Sequence, residues 1–226
     1  MENKKIILPL VIALLVVVGV GAVLSMEDII EIKEKDKTSS RNVFKSEVVV
    51  KQGGKKFFKK DFEDFDNLKK FKGKIADVNF NTGTRSWSVS STIEETVKKG
   101  PTFASNYAVA TWVCGQNCQR SSIVDVSSGD IIVDGIRSVY GVKYRVSSRL
   151  FVVNPPSNVP EDPKSNASTQ YYKLKDGRLK FIGNNFFGKQ DQACAQVVTK
   201  AKNEATGEIL NFPTPCDVPG YGWKKI

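Results

Sequence analysis

The chain has 226 residues, 40% of them hydrophobic, which is enough to bury one ordinary core plus an appendage, and 34 basic against 24 acidic side chains give it a charge of +10. It contains no histidine, which removes every Ser-His-Asp and Cys-His mechanism and the commonest neutral metal ligand. The basic excess is interleaved with acids, as in Lys55-Lys56-Phe57-Phe58-Lys59-Lys60 followed by Asp61, Glu63, Asp64 and Asp66; this is not the basic face of a nucleic-acid reader, and nucleic acid is excluded as a partner.

The first element in chain order is an apolar run over residues 6–24, preceded by Lys4 and Lys5 and followed by Glu27 and Asp28. It matches the ~20 residues a helix needs to cross a hydrocarbon core, and its lysines belong on the cytoplasmic side. Residues 1–26 therefore read as a signal anchor, with the cytoplasmic membrane as partner through residues 6–24. The rest of the chain lies outside the cytoplasm. Val20-Gly21-Ala22 leaves open the alternative of a cleaved signal peptide and a secreted product. Residues 27–42, charged and polar, read as a tether. Residues 43–188 are expected to form an antiparallel β domain, and residues 189–226 a small cysteine-bounded module.

Within the domain, residues 43–50 are β-rich, and Gln52-Gly53-Gly54 is a turn signal before residues 55–58, so a hairpin is expected. Phe57, Phe58, Phe62, Phe65, Leu68 and Phe71 recur at helix-like spacing and suggest a core-facing helix. Residues 74–80 read as a strand closed by Asn81-Thr82-Gly83. Ser91-Thr92-Ile93-Glu94 fits a capping box, and Gly100-Pro101 supplies a stop, which predicts a helix over residues 92–99.

The period then changes to that of strands, over residues 106–113, 119–126, 131–133, 143–147, 149–154, 169–175 and 178–182. The first two flank Cys114-Gly115-Gln116-Asn117-Cys118, Asp176-Gly177 joins the last two, and the proline- and serine-rich residues 155–168 form a loop. The fold class is mainly β, an antiparallel meander with one short helix after the N-terminal anchor or signal helix.

One set of motifs is specific: Gly100-Pro101-Thr102-Phe103-Ala104, Tyr107, Thr111-Trp112-Val113-Cys114-Gly115-Gln116-Asn117-Cys118-Gln119, Ile123-Val124-Asp125 and Gly129, with Ser148-Arg149-Leu150 and Val152-Val153-Asn154 further on. Over roughly residues 74–182 the chain resembles an uncharacterised family of exported bacterial domains with a GPNFAGxY…TWGCGxxCQ…IVDxxTGxV pattern. It departs from that pattern at Thr102 and Ser105, usually Asn and Gly, and at Val113, usually Gly. The tail from Cys194 to Trp223, with Phe212-Pro213-Thr214-Pro215-Cys216-Asp217-Val218-Pro219, resembles a short cysteine-bounded module appended to other exported bacterial proteins. Neither resemblance implies a catalytic residue.

Four cysteines in an exported chain suggest two disulfides, and the simplest pairing is local, Cys114 with Cys118 and Cys194 with Cys216. A redox pair at Cys114 and Cys118 or a four-thiolate zinc site are the alternatives; C-x3-C spacing suits neither well. No metal and no cofactor are expected.

Alternation puts Tyr107 and Trp112 on opposite faces of a strand and Trp112 beside Ala108 and Ala110, where a packed core is expected to bury it. Tyr171 and Tyr172 must also point to opposite faces, with one ring exposed; together with Arg145 and Arg149 they form the candidate ligand face. Arg137 is a third arginine that would clamp an anion if it converged with those two. A histidine-free hydrolase would need paired carboxylates, and Asp125, Asp130, Asp134 and Asp176 are the strand-associated candidates, although Asp130 and Asp176 occupy positions where Asp serves turns.

The expected function is a non-catalytic binding or structural module on the outer side of the membrane, its partner an envelope protein or glycan. The alternatives are a carboxylate hydrolase and a peptidase-inhibitor-like role for the Cys194 to Cys216 loop, which Pro213 and Pro215 stiffen.

Overall fold

The computed structural model describes residues 50–52, 55–57, 60–66, 68–69, 71–83, 85–163, 167–187 and 194–226. The expected anchor over residues 1–26, the tether over 27–42 and the strand over 43–49 lie outside the described residues. No helix among the described residues is long and apolar enough to cross a membrane.

The molecule is mainly β and every strand pairing is antiparallel. The expected hairpin forms from β1 (Val50–Gln52) and β2 (Lys55–Phe57). The α-helix α1 (Ser90–Lys98) precedes a three-stranded meander of β3 (Tyr107–Gly115), β4 (Cys118–Asp125) and β5 (Ile131–Ser138). A four-stranded meander follows: β6 (Val142–Lys143), β7 (Leu150–Val153), β8 (Ser168–Lys175) and β9 (Arg178–Phe186). A last sheet of β10 (Thr199–Asn203), β11 (Ile209–Phe212) and β12 (Trp223–Lys225) has β10 at its centre. Both disulfides form as the local pairing anticipates, Cys114–Cys118 at the β3–β4 hairpin and Cys194–Cys216 across the tail.

Alternating side chains let the β3–β5 sheet bury both faces. Ala108, Ala110, Val124, Val126 and Ile131 pack against Ile93 and Val97 of α1. The opposite face sends Val109, Ile123, Val133 and Ile136 against Phe151, Val153, Tyr172, Leu174 and Leu179 of the second sheet. The outer face of that second sheet is covered in turn by Phe62 and Phe65, which sit on Leu150, Val152 and Tyr171. The tail sheet builds a small core from Ala201, Phe212, Val218 and Trp223. Phe181 of β9 links it to the main core, with ring centroids 5.1 Å from Trp223 and 5.5 Å from Tyr172.

Several expectations change. Within the phenylalanine stripe, Phe62 and Phe65 are buried and Leu68 and Phe71 pack half-buried against the cores, but among the described residues of the stripe only Phe62–Phe65 is helical, as one 3-10 turn and not an α-helix. A three-residue spacing lags by about 60° per step around an α-helix, so Phe62, Phe65, Leu68 and Phe71 would not share one face, whereas a 3-10 turn aligns the first two. Residues 74–80 form no strand. They run beside the β4–β5 turn, with Ala76 N donating to Val126 O (2.9 Å), Asn79 N donating to Gly129 O (2.8 Å) and a single bridge between Asn79 and Asp130. Gly129, at φ +82, is where the Asp77 carbonyl approaches too closely for a Cβ.

Helix α1 starts at Ser90, two residues before the expected start, and Val89 precedes it without a side-chain cap. Its stop is as read: Gly100 takes φ +93 and donates to Val97 O. Strand β6 is shorter than residues 143–147, because the carbonyls of Arg145 and Val146 accept from the left-handed turn at Ala104 and Ser105. Trp112 lies on the expected face with Ala108 and Ala110, but half-buried at the rim of the cluster against α1.

Candidate ligand cleft

The β8–β9 hairpin turns on Asp176 and Gly177, both left-handed at φ +51 and +67, the two-residue turn that Asp-Gly favours. The resulting register sets Lys175 opposite Arg178 and Lys173 opposite Lys180, so four cations share the outer face at the hairpin tip. Strand β9 ends the sheet order, and among the described residues one of its edges has no strand beside it.

The β10–β11 turn comes up beside that edge. Asn203 organises it: its Oδ1 accepts from Ala205 N and Thr206 N at 3.0 Å each, and its carbonyl accepts from Gly207 N at 2.9 Å. Thr206 Oγ1 then accepts from Glu208 N at 3.3 Å, which aims the Glu208 carboxylate at β9. There Glu208 Oε2 accepts from the Phe181 backbone N–H at 2.9 Å, and Oε1 stands 3.8 Å from Lys180 Nζ. The Glu208 side chain is 13% exposed and that of Lys180 46%. Between the turn, β9 and Ile132 of β5 lies a cleft of about 430 Å³, its walls formed by Ile132, Arg178, Lys180, Thr206, Glu208 and Ile209 among others.

A buried polar network fixes the tail sheet, and with it the cleft turn, on β8. Tyr172 Oη donates to Gln170 Oε1 (2.6 Å) and accepts from Asn203 Nδ2 (2.9 Å). Trp223 Nε1 donates to Gln170 Oε1 (3.2 Å), and Gln170 Nε2 donates to Tyr221 O (3.0 Å). Burial pushes the Tyr172 phenol well above its ordinary range, with the hydrogen bonds from Trp223 and Asn203 pulling the other way. Asn203 thus belongs both to the cleft turn and to the network fixing it on β8.

The candidate ligand face is not assembled. Tyr172 is fully buried in the main core, and Tyr171, 4% exposed, lies beneath Phe62 and Phe65. The expectation of one exposed ring fails because the aromatic strap covers the second face of the sheet. Arg145 and Arg149 hold that strap. Arg145 pairs with Glu63 at 2.6 Å and lies 4.6 Å over the Phe62 ring, while the Arg149 backbone N–H donates to Phe65 O. Ser148 Oγ adds a bond to Phe62 O at 2.8 Å. Arg137 lies elsewhere, 5.3 Å over the ring of Tyr221, so the three arginines do not form a clamp.

The carboxylates are engaged locally. Asp125 Oδ1 accepts from Asn106 Nδ2 (2.6 Å) and from Ser127 N and Oγ (2.9 and 2.6 Å). Asp130 accepts from Asn79 Nδ2 at 3.0 Å, Asp134 from the buried Ser86 at 2.7 Å, and Asp176 occupies its turn. Tyr107 faces the core opposite Trp112, its phenol raised by burial and then by the neighbouring Asp125 carboxylate. In the tail loop, Thr214 N and Oγ1 both donate to Asp217 Oδ2 (2.9 and 2.8 Å), folding residues 214–217 back on themselves. Among the described residues no cluster of three or more Cys, Asp or Glu is placed to hold a metal ion.

Sequence reasoning missed the residues that line the cleft. The signal was present as Lys173-x-Lys175-Asp176-Gly177-Arg178-x-Lys180, a basic alternation mirrored about a hairpin turn. Glu208 and Thr206 carried no signal, because only the docking of the tail brings them to β9. No protein-family model, curated protein or solved structure matches this chain.

Proposed function

We propose that the chain is an extracytoplasmic, non-catalytic binding module, anchored to the cytoplasmic membrane through residues 6–24, and that the cleft between β9 and the β10–β11 turn is its ligand site. The observation that carries this reading is the construction of the cleft. Its walls come from β5, β9 and the tail sheet, and the Gln170, Tyr172, Asn203 and Trp223 network fixes the tail-sheet wall on β8, the hairpin partner of β9, before any ligand arrives. The two disulfides suit an oxidising compartment. The engagement of Asp125 and Asp130 in turn hydrogen bonds favours binding over carboxylate hydrolysis.

The test is sedimentation of the full chain, in detergent micelles, with washed native cell envelopes. Thr206→Trp fills the cleft from a half-buried turn position. The wild type is expected to pellet with envelopes, and Thr206→Trp to stay in the supernatant with an unchanged circular dichroism spectrum. Equal pelleting by a folded Thr206→Trp variant would remove the cleft as the site.

A further inference from the structure

Resting on the cleft as the ligand site, we propose that its ligand is a linear phosphodiester polymer of the cell envelope, bound along the ladder of Lys173, Lys175, Arg178 and Lys180. The register sets two pairs of like charges directly opposite each other, Lys175 with Arg178 and Lys173 with Lys180. Such pairs destabilise a sheet unless an anion lies between them. Among the described residues no carboxylate makes an ion pair with Lys173, Lys175 or Arg178; Lys173 instead points its ammonium at the Phe65 ring, 5.4 Å away. Among the same residues Lys180 pairs with Glu208 alone, at 3.8 Å, and that carboxylate already accepts a backbone N–H.

The spacing fits a repeating anion. Neighbouring strands lie about 4.8 Å apart and alternate residues about 7 Å apart along a strand, so the four cations form a grid on which successive charges of one extended polymer fall. The same β9 residues, Arg178 and Lys180, also line the cleft, which gives a single chain a bounded path where a flat bilayer would meet only the outer face. Three of the four cations are lysines, point charges suited to tetrahedral phosphate, and one is an arginine able to grip two phosphate oxygens. The chain's charge of +10 draws a polyanion towards this surface.

The experiment uses the full chain in detergent and a fluorescently labelled poly(glycerol phosphate) as probe, read by anisotropy. Binding is expected to weaken steeply with salt, as counterion release requires. In Lys173→Glu/Lys175→Glu both like-charge pairs become opposite-charge pairs, while Arg178 and Lys180 stay in the cleft wall. That variant should bind the probe about tenfold or more weakly while its circular dichroism spectrum stays that of the wild type, a combination that loss of folding cannot produce. Wild-type affinity in the double variant, or no binding of the probe by wild type, would overturn the proposal. So would equal or tighter binding of polygalacturonate or of vesicles rich in phosphatidylglycerol, which would reassign the surface to carboxylate polymers or to lipid. The two readings separate on envelopes: if Thr206→Trp loses envelope binding while the double variant keeps it, the polyanion is wrong and the cleft stands. If both variants keep envelope binding, both readings fall.

Discussion

At Tyr172 one hydroxyl serves three buried partners, donating to Gln170 and accepting from Asn203 and Trp223. Replacing it in Tyr172→Phe leaves the Gln170 carbonyl and the Asn203 amide short of a partner in a dry interior, and the urea midpoint should fall by the equivalent of about 1–3 kcal/mol. The same residue sets an alkaline limit. The folded-state value of the phenol lies above the unfolded value of 10.0, so the fold keeps its proton where the unfolded chain loses it. Its contribution is fully present below about pH 10 and is lost as pH rises from there through the folded value. Urea midpoints from about pH 8 to 11 should be flat and then fall, and Tyr172→Phe should fall less; an identical alkaline slope in the variant would count against this burial. Little of this was legible in the sequence. Alternation assigns Tyr171 and Tyr172 to opposite faces, but the cover over Tyr171 comes from Phe62 and Phe65, more than a hundred residues earlier, and no local pattern reports that contact. The left-handed turn at Ala104 and Ser105 was hidden for a related reason: neither residue is the glycine that φ values of +44 and +66 favour.

Elements were most readable where local chemistry decides them. The strands flanking Cys114 and Cys118, the Asp176-Gly177 hairpin, the Gly100 helix stop and both local disulfides depend on neighbours in sequence. The strap and the segment at residues 74–80 were not, because each lies on a sheet built from later residues and takes its hydrogen bonds from them. Among the elements the tail sheet is the most separable. The Cys194–Cys216 link closes a loop of sequence separation 22, worth about 3 kcal/mol by loop-closure entropy, beside a core of only a few buried side chains. In Cys194→Ser, amide hydrogen exchange at Ala201 and Asn203 should therefore accelerate about a hundredfold, while Ile123 and Val124 in the main sheet keep their protection. Equal acceleration at Ile123 would mean that the tail and the main core unfold as one unit.

As a whole the molecule is a stack: helix α1, the β3–β5 sheet, the β6–β9 sheet and the aromatic strap, with the tail sheet docked at the side through Phe181 and the Tyr172 network. The mainly β class and the antiparallel meander follow from period and turn signals along the sequence. The site does not, because it exists only where β5, β9 and the β10–β11 turn meet, three segments whose approach is set by packing and not by spacing. Its position can be read directly from backbone amide chemical shifts of the isotope-labelled full chain in detergent, titrated with poly(glycerol phosphate). Shifts confined to Lys173 and Lys175 of β8, Arg178 to Phe181 of β9 and Thr206 to Ile209 of the facing turn are the predicted result. Shifts centred instead on the Asp125 and Asp130 turns or on the Arg145 and Glu63 strap, with the cleft amides unmoved, would contradict it.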